Sequence, residues 1–181
     1  MAHLSRRHVV QTSVAAFAAS FISQKTFAQT SASEDALSLM RADPKFSDWI
    51  EILDYAGMSQ YASGPDPFTA FVPTNDAFEK VPEVLAEVLR SKSRAFPETT
   101  LQVNFVRSHV IRDIHPLSDY AGKTAKLTSV AGNPITIDGT QSGVFLVSWV
   151  SLDRIAKVRI TSAPIRASNA IIYPFDDLVR V

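Results

Sequence analysis

The sequence predicts an α+β fold in one domain. Three observations carry this. Helical apolar spacing fills the first half of the chain and is interrupted by one short apolar strand. After Pro116 the pattern changes to alternation punctuated by Gly and Pro. Nowhere do helices and strands alternate as βαβ units would, and no internal repeat or second domain appears. Composition permits a packed core, since 46% of the 181 residues are hydrophobic and 20% are charged. That balance excludes a disordered chain.

The elements follow in order. Residues 1–28 read as a cleaved address: a charged start, an apolar middle, and small residues at Thr26-Phe27-Ala28 that place a cut after Ala28. Arg6 and Arg7 stand in a Ser-Arg-Arg context directly before an alanine-rich, weakly apolar stretch, and Lys25 precedes the cut. These features resemble a twin-arginine signal and imply a periplasmic or extracellular destination. The apolar stretch Val9 to Ile22 is broken by Gln11, Thr12, Ser13 and Ser20. It is too short and too polar to span a membrane.

Residues 29–42 read as a flexible leader and a first short helix. Phe46, Trp49, Ile50, Leu53 and Ala56 fall at helical spacing, with Gly57 placed to stop the helix. A second short helical piece runs from Met58 to Ala62, and Gly64-Pro65-Asp66-Pro67 is a turn cluster. Phe68 to Val72 is a strand with apolar residues on both faces, which predicts burial on both sides. Thr74 is placed to cap the next helix, and Asp76 lies in its first turn. That helix carries Phe78, Val81 and Leu85 and is interrupted at Pro82. Ser91 to Glu98 is a basic, proline-containing connection. Leu101, Phe105 and His109 lie four apart on one face of a further helix, with Val106 and Val110 beside them. Leu127 to Ile137 then reads as hairpins, and Val144–Leu152, Ile155–Thr161 and Ala170–Tyr173 as strands.

Several functions are excluded or weakened at this stage. Lys plus Arg equals Asp plus Glu, at 18 each, so no charge bias announces nucleic acid. Cleavage after Ala28 would leave the chain mildly acidic early and mildly basic late. There is no cysteine, which removes disulfides, thiolate catalysis and Cys-ligated metal sites together. No nucleophile-elbow, zinc-protease or phosphate-cradling motif appears, and with 6 glycines a dinucleotide loop is not expected. His109 and His115 are the histidines left after cleavage. They are six apart with Asp113 between, which is not the spacing of a metal site. The sequence therefore predicts no catalytic residue, no metal site and no cofactor.

At Phe68-Thr-Ala-Phe-Val-Pro-Thr-Asn-Asp-Ala-Phe78 the chain resembles the first signature of the fasciclin-type domain. Asp43-Pro44-x-Phe46-Ser47, Ser108-His109-Val110-Ile111 and the closing segment Ser168-Asn169 to Val179 match three further segments in order. Together they cover 43–181. The family's signature residues carry over to Thr74, Asn75, Asp76, Phe78 and Asn169. The closing segment departs from the pattern at Ala170, Tyr173, Pro174 and Phe175. Pro174 cannot donate to a sheet ladder, so an edge or a bulge is expected there.

The resemblance implies a wedge-shaped β-sandwich with several helices packed along one side. It also implies an exported, non-enzymatic interaction or adhesion domain whose partner is a protein, a glycan or another cell-surface component, with self-association as a further mode. His109 is expected to be a core histidine bonded to backbone rather than an acid–base group. Asp176 and Asp177 are expected to be solvated. Arg154, Lys157, Arg159 and Arg166 form a candidate interaction patch, although a solvated face or protection of an edge strand is the favoured explanation of them. Phe145, Trp149 and Tyr173 are expected to pack in the sandwich core. The alternative is a periplasmic carrier that lines a pocket for a small apolar ligand with them.

Overall fold

In the computed structural model, residues 33–80, 98–151 and 154–176 are described. The signal segment with Arg6, Arg7 and Ala28, the interruption at Pro82, the connection from Ser91 and Asp177 lie outside the described residues.

The helices are α1 (Ala36–Ala42), α2 (Ser47–Tyr55), α3 (Ser59–Ser63), α4 (Asn75–Glu79) and α5 (Glu98–Ser108). The strands are β1 (Phe68–Pro73), β2 (Val110–Arg112), β3 (Thr124–Thr128), β4 (Pro134–Asp138), β5 (Phe145–Ser151), β6 (Arg154–Ile160), β7 (Ile165–Arg166) and β8 (Ala170–Phe175). They form two four-stranded sheets, ordered β2-β1-β8-β7 and β3-β4-β5-β6. The second sheet is an antiparallel meander, as its hairpin signals predict. In the first, β1 and β8 pair in parallel, although a hundred residues separate them. The fold is α+β, in agreement with the sequence.

Strand parity divides the core in two. Phe68, Ala70, Val72, Ala170 and Ile172 point from β1 and β8 into the helical layer, against Met40, Phe46, Trp49, Ile52 and Phe105. Phe71, Ile171, Tyr173 and Phe175 point the other way, against Ile135, Ile137, Val147, Trp149 and Val158 of the second sheet. The layers are thus helices, sheet and sheet. Every residue of β1 is buried, as expected for a strand covered on both faces.

Local chemistry explains the boundaries. Asp35 caps α1 by accepting from Ser38 N at 2.8 Å. Gly57 adopts φ +67° directly after α2 and ends it, the left-handed step that glycine makes without a Cβ clash. Two expectations need correction. The helix carrying Phe105 stops at Ser108, and Val110 opens β2 instead of continuing it. Ser108 Oγ donates to Phe105 O at 2.7 Å, and the β-branched pair Val110-Ile111 docks antiparallel on β1. The short strands β2 and β7 were also not expected.

Pro174 sits in a strand that is interior, not an edge, yet the ladder is undisturbed. Phe68 N bonds Asn169 O and Thr74 N bonds Phe175 O, so the odd positions of β8 face β1. Pro174 lies at an even position, and β7 has already ended opposite Ile171 and Ile172. Among the described residues its missing N–H falls where no strand needs one.

Candidate functional site

The signature residues act first as clasps. Asn169 is buried. Its Oδ1 accepts from Ala36 N at 2.9 Å, and its Nδ2 donates to Ala62 O at 3.0 Å and Gly64 O at 2.7 Å. One side chain thereby ties α1, the end of α3 and the start of β8 together. Ala36 and Met40 are core residues, so α1 belongs to the same packed unit as the strands.

Asn75 does the same for α2, which has no side-chain cap of its own. Its Oδ1 accepts from Asp48 N at 3.2 Å, and its Nδ2 donates to Pro44 O at 3.1 Å and Ser47 Oγ at 3.0 Å. Thr74 occupies the N-cap position of α4, but its hydroxyl makes no cap bond. It donates to Asp176 Oδ1 at 2.8 Å, because a carboxylate is a stronger acceptor than any group in its own turn offers. Asp176 is therefore engaged by the β1–α4 corner, and Lys80 Nζ donates to its backbone oxygen at 2.8 Å. Phe78 is buried against Phe105, and Asp76 is exposed in the first turn of α4.

His109 lies where the two halves of the core meet. Its ring is within 4.4 Å of Phe105, 4.8 Å of Trp149 and 5.5 Å of Trp49, centroid to centroid, and is stacked on Phe175. Nδ1 contacts Phe105 O at 2.7 Å, which makes it the protonated nitrogen of a neutral ring. Burial pushes the imidazole down to about 4; the bond to Phe105 O works the other way and is weaker. Among the described residues the buried indole N–H groups of Trp49 and Trp149, whose rings contact His109, meet no hydrogen-bond acceptor. His109 is enclosed, as a core histidine bonded to backbone.

His115 is separate from it. Its Nδ1 meets Tyr120 Oη at 2.9 Å and its Nε2 meets Arg112 O at 3.0 Å. Thr69, fully buried on β1, braces this loop by donating to Asp113 O at 2.9 Å and accepting from His115 N at 2.8 Å. That role is not visible in the sequence, because a hydroxyl in a strand reads as ordinary alternation.

The basic cluster is divided by the fold. Lys157 and Arg159 share the outer face of the second sheet, opposite in parity to the buried Val158 and Ile160. The backbone of Arg154 belongs to the same strand, and its side chain lies outside the described residues. Arg166 is exposed on β7 of the other sheet. Lys126, not singled out by sequence, joins the outer face through register, and Ile155 on that face is 72% exposed. Strand parity would have found Lys126, had the weakly alternating β3 been recognised.

Trp149 and Tyr173 are buried, and Phe71 stacks between them; Phe145 is half-buried at the margin of the same cluster. That region is filled by side chains. A groove of about 630 Å³ lies elsewhere, across α1 and α2, lined by residues including Met40, Ile50 and Tyr55. Two of its acids are already engaged, Asp54 by Arg41 at 2.6 Å and Asp43 by Lys45 at 2.6 Å.

Two sheets with helices on one side, clasped by these residues, define a class that comparison makes explicit. The family model for the fasciclin domain matches residues 44–180, and the chain belongs to that family. Stabilin-2 of Mus musculus is 27% identical over 120 residues, covering 66% of this chain and 4% of that protein. Transforming growth factor-beta-induced protein ig-h3 of Sus scrofa is 22% identical over 144 residues, 80% of this chain and 19% of that protein. The chain thus spans a small part of these animal relatives. Protein sll1483 of Synechocystis is 26% identical over 158 residues, 87% of this chain and 74% of that protein. Among solved structures, a FAS1 domain pair from the insect cell adhesion molecule fasciclin I aligns with a TM-score of 0.65 at 14% identity. It covers 83% of this chain and 52% of the solved one, and supports the fold.

Proposed function

We propose that this chain is an exported interaction domain that holds a protein, glycan or other cell-surface partner by its surface and catalyses nothing. Fasciclin domains are found in adhesion proteins, the insect cell adhesion molecule above among them. The observation that carries the reading is the occupation of the signature residues. Thr74, Asn75 and Asn169 spend their polar atoms on clasping elements together, and His109 is sealed in the core. What is left to meet a partner is then the exposed surface. Among the described residues no helix is long and apolar enough to cross a membrane. The carrier alternative draws no support from the Phe145–Trp149–Tyr173 region, because aromatic rings occupy it.

The test is binding of the fluorescently labelled exported protein to intact cells and isolated envelopes of its host, with native mass spectrometry on the same sample. Saturable binding by a protein of bare polypeptide mass supports the reading. Absence of binding, or a reproducible additional small-molecule mass, overturns it, the second in favour of a carrier. A multiple of the chain mass would identify a second copy as one partner.

A further inference from the structure

We infer that the outer face of the β3–β6 sheet binds an anionic polysaccharide, a chain bearing carboxylate or sulfate groups. This rests on the interaction-domain reading and names the partner. The face is assembled by register. Lys126 on β3 lies in one cross-strand row with Thr136, Ser148 and Lys157. Arg159 heads the neighbouring row, opposite Leu146. Cations therefore stand on both outer strands, with the hydroxyls of Thr136 and Ser148 between the two lysines and Leu146 and Asp138 in the row of Arg159.

The spacing suits an extended polymer. Three strand intervals of about 4.8 Å set the two lysines about 14 Å apart, and two strand residues set Lys157 and Arg159 about 7 Å apart. Lys126 and Arg159 are exposed and Lys157 is half-buried. Among the described residues none of the three is in an ion pair with a carboxylate within 4 Å. The acid on this face, Asp138, is bonded chiefly within its own turn, and Lys157 attracts it more weakly across the sheet. It accepts from Thr140 Oγ1 at 2.6 Å and Thr140 N at 3.0 Å, and these bonds hold it below the usual carboxylate range.

The remaining chemistry fits sugar. Thr136 and Ser148 offer donors and acceptors to ring hydroxyls, and Ile155 offers apolar surface to the C–H face of a ring. Single-stranded nucleic acid needs stacking platforms and a denser positive groove, and the described side chains of this face are aliphatic, hydroxyl or charged.

The experiment is affinity electrophoresis of the exported protein through gels containing alginate, dextran sulfate or neutral dextran. Single-stranded DNA and anionic lipid vesicles serve as competitors. The variant combines Lys126→Gln, Lys157→Gln and Arg159→Gln, outward positions whose exchange is checked by an unchanged thermal melt. Retardation by alginate or dextran sulfate but not by neutral dextran is expected, weakening about tenfold or more in the variant and fading with salt. Two arms separate the polysaccharide inference from the broader reading. If wild type and variant bind cells equally and neither is retarded, the face inference fails and the interaction reading stands. If neither binds cells or polysaccharide, both fail. DNA or vesicles competing more tightly than either polysaccharide also overturns the inference.

Discussion

His109 couples the stability of this domain to proton concentration. Its imidazole has an ordinary value of 6.5, depressed by burial to about 4 in the fold. The unfolded chain therefore binds the proton first as pH falls. The contribution is fully present above pH 6.5, is lost progressively down to about 4, and does not return below it. A shift of that size corresponds to roughly 3 kcal/mol. Denaturant titrations at pH 7, 5.5 and 4 should show the decline, and His109→Gln should be less stable at pH 7 yet flatter across the window. Asn169 is the other decisive side chain. Asn169→Ala strands one amide N–H and two carbonyls in buried or half-buried positions, and should cost about 2–4 kcal/mol by equilibrium unfolding. Asn169→Asp keeps the acceptor for Ala36 N but loses both donors, and should not rescue it. The enclosure of His109 was legible from its place one turn after Phe105 on an apolar face. The three-way role of Asn169 was not, because its partners lie more than a hundred residues away.

Among the elements, α2 borrows its cap. Asn75→Ala removes the acceptor for Asp48 N and should lower stability by about 1–2 kcal/mol, read as a shift in melting temperature. Asn75→Asp, which keeps an acceptor there, should cost less. The β4–β5 connection depends on close approach at Gly139, where any Cβ would meet the Tyr120 carbonyl and the Phe145 ring. Gly139→Ala should destabilise by about 1–3 kcal/mol in the same assay. The long elements were legible because each carries a strong period: Trp49, Ile52 and Leu53 on a helix, Ile135 and Ile137 or Val147 and Trp149 on strands. The failures were short. β2 follows α5 with one residue between and has no period of its own, and β7 has two residues that exist as strand through β8. Thr74 misled for a different reason: local sequence offers a cap, and a distant carboxylate won.

Across the molecule, the pattern showed a strand buried on both faces and a run of hairpins, and β1 and β3–β6 fill those roles, while the layering of helices against a sandwich came from the family resemblance. The outer face of the second sheet was only half legible, because register decides that Lys126 joins Lys157 while Arg166 stays with the other sheet. Delivery is a property of the whole chain. Replacing Arg6 and Arg7 together by lysine should leave uncleaved precursor inside the cell, detected as the full 19.8 kDa mass by fractionation and mass spectrometry. Export unchanged by that pair would rule out the twin-arginine route.

The parallel pairing of β1 with β8 sets when, in the course of synthesis, the domain can fold. A ribosome releases β1 early, yet its partner along the full length of the strand is the last described strand made. Until then β1 has a three-residue neighbour on one side and nothing on the other, and neither half of the core can close. Closing so long a loop is slow. A nascent chain halted before residue 170 should therefore remain fully open to protease, and protection should arrive abruptly once Phe175 clears the exit tunnel.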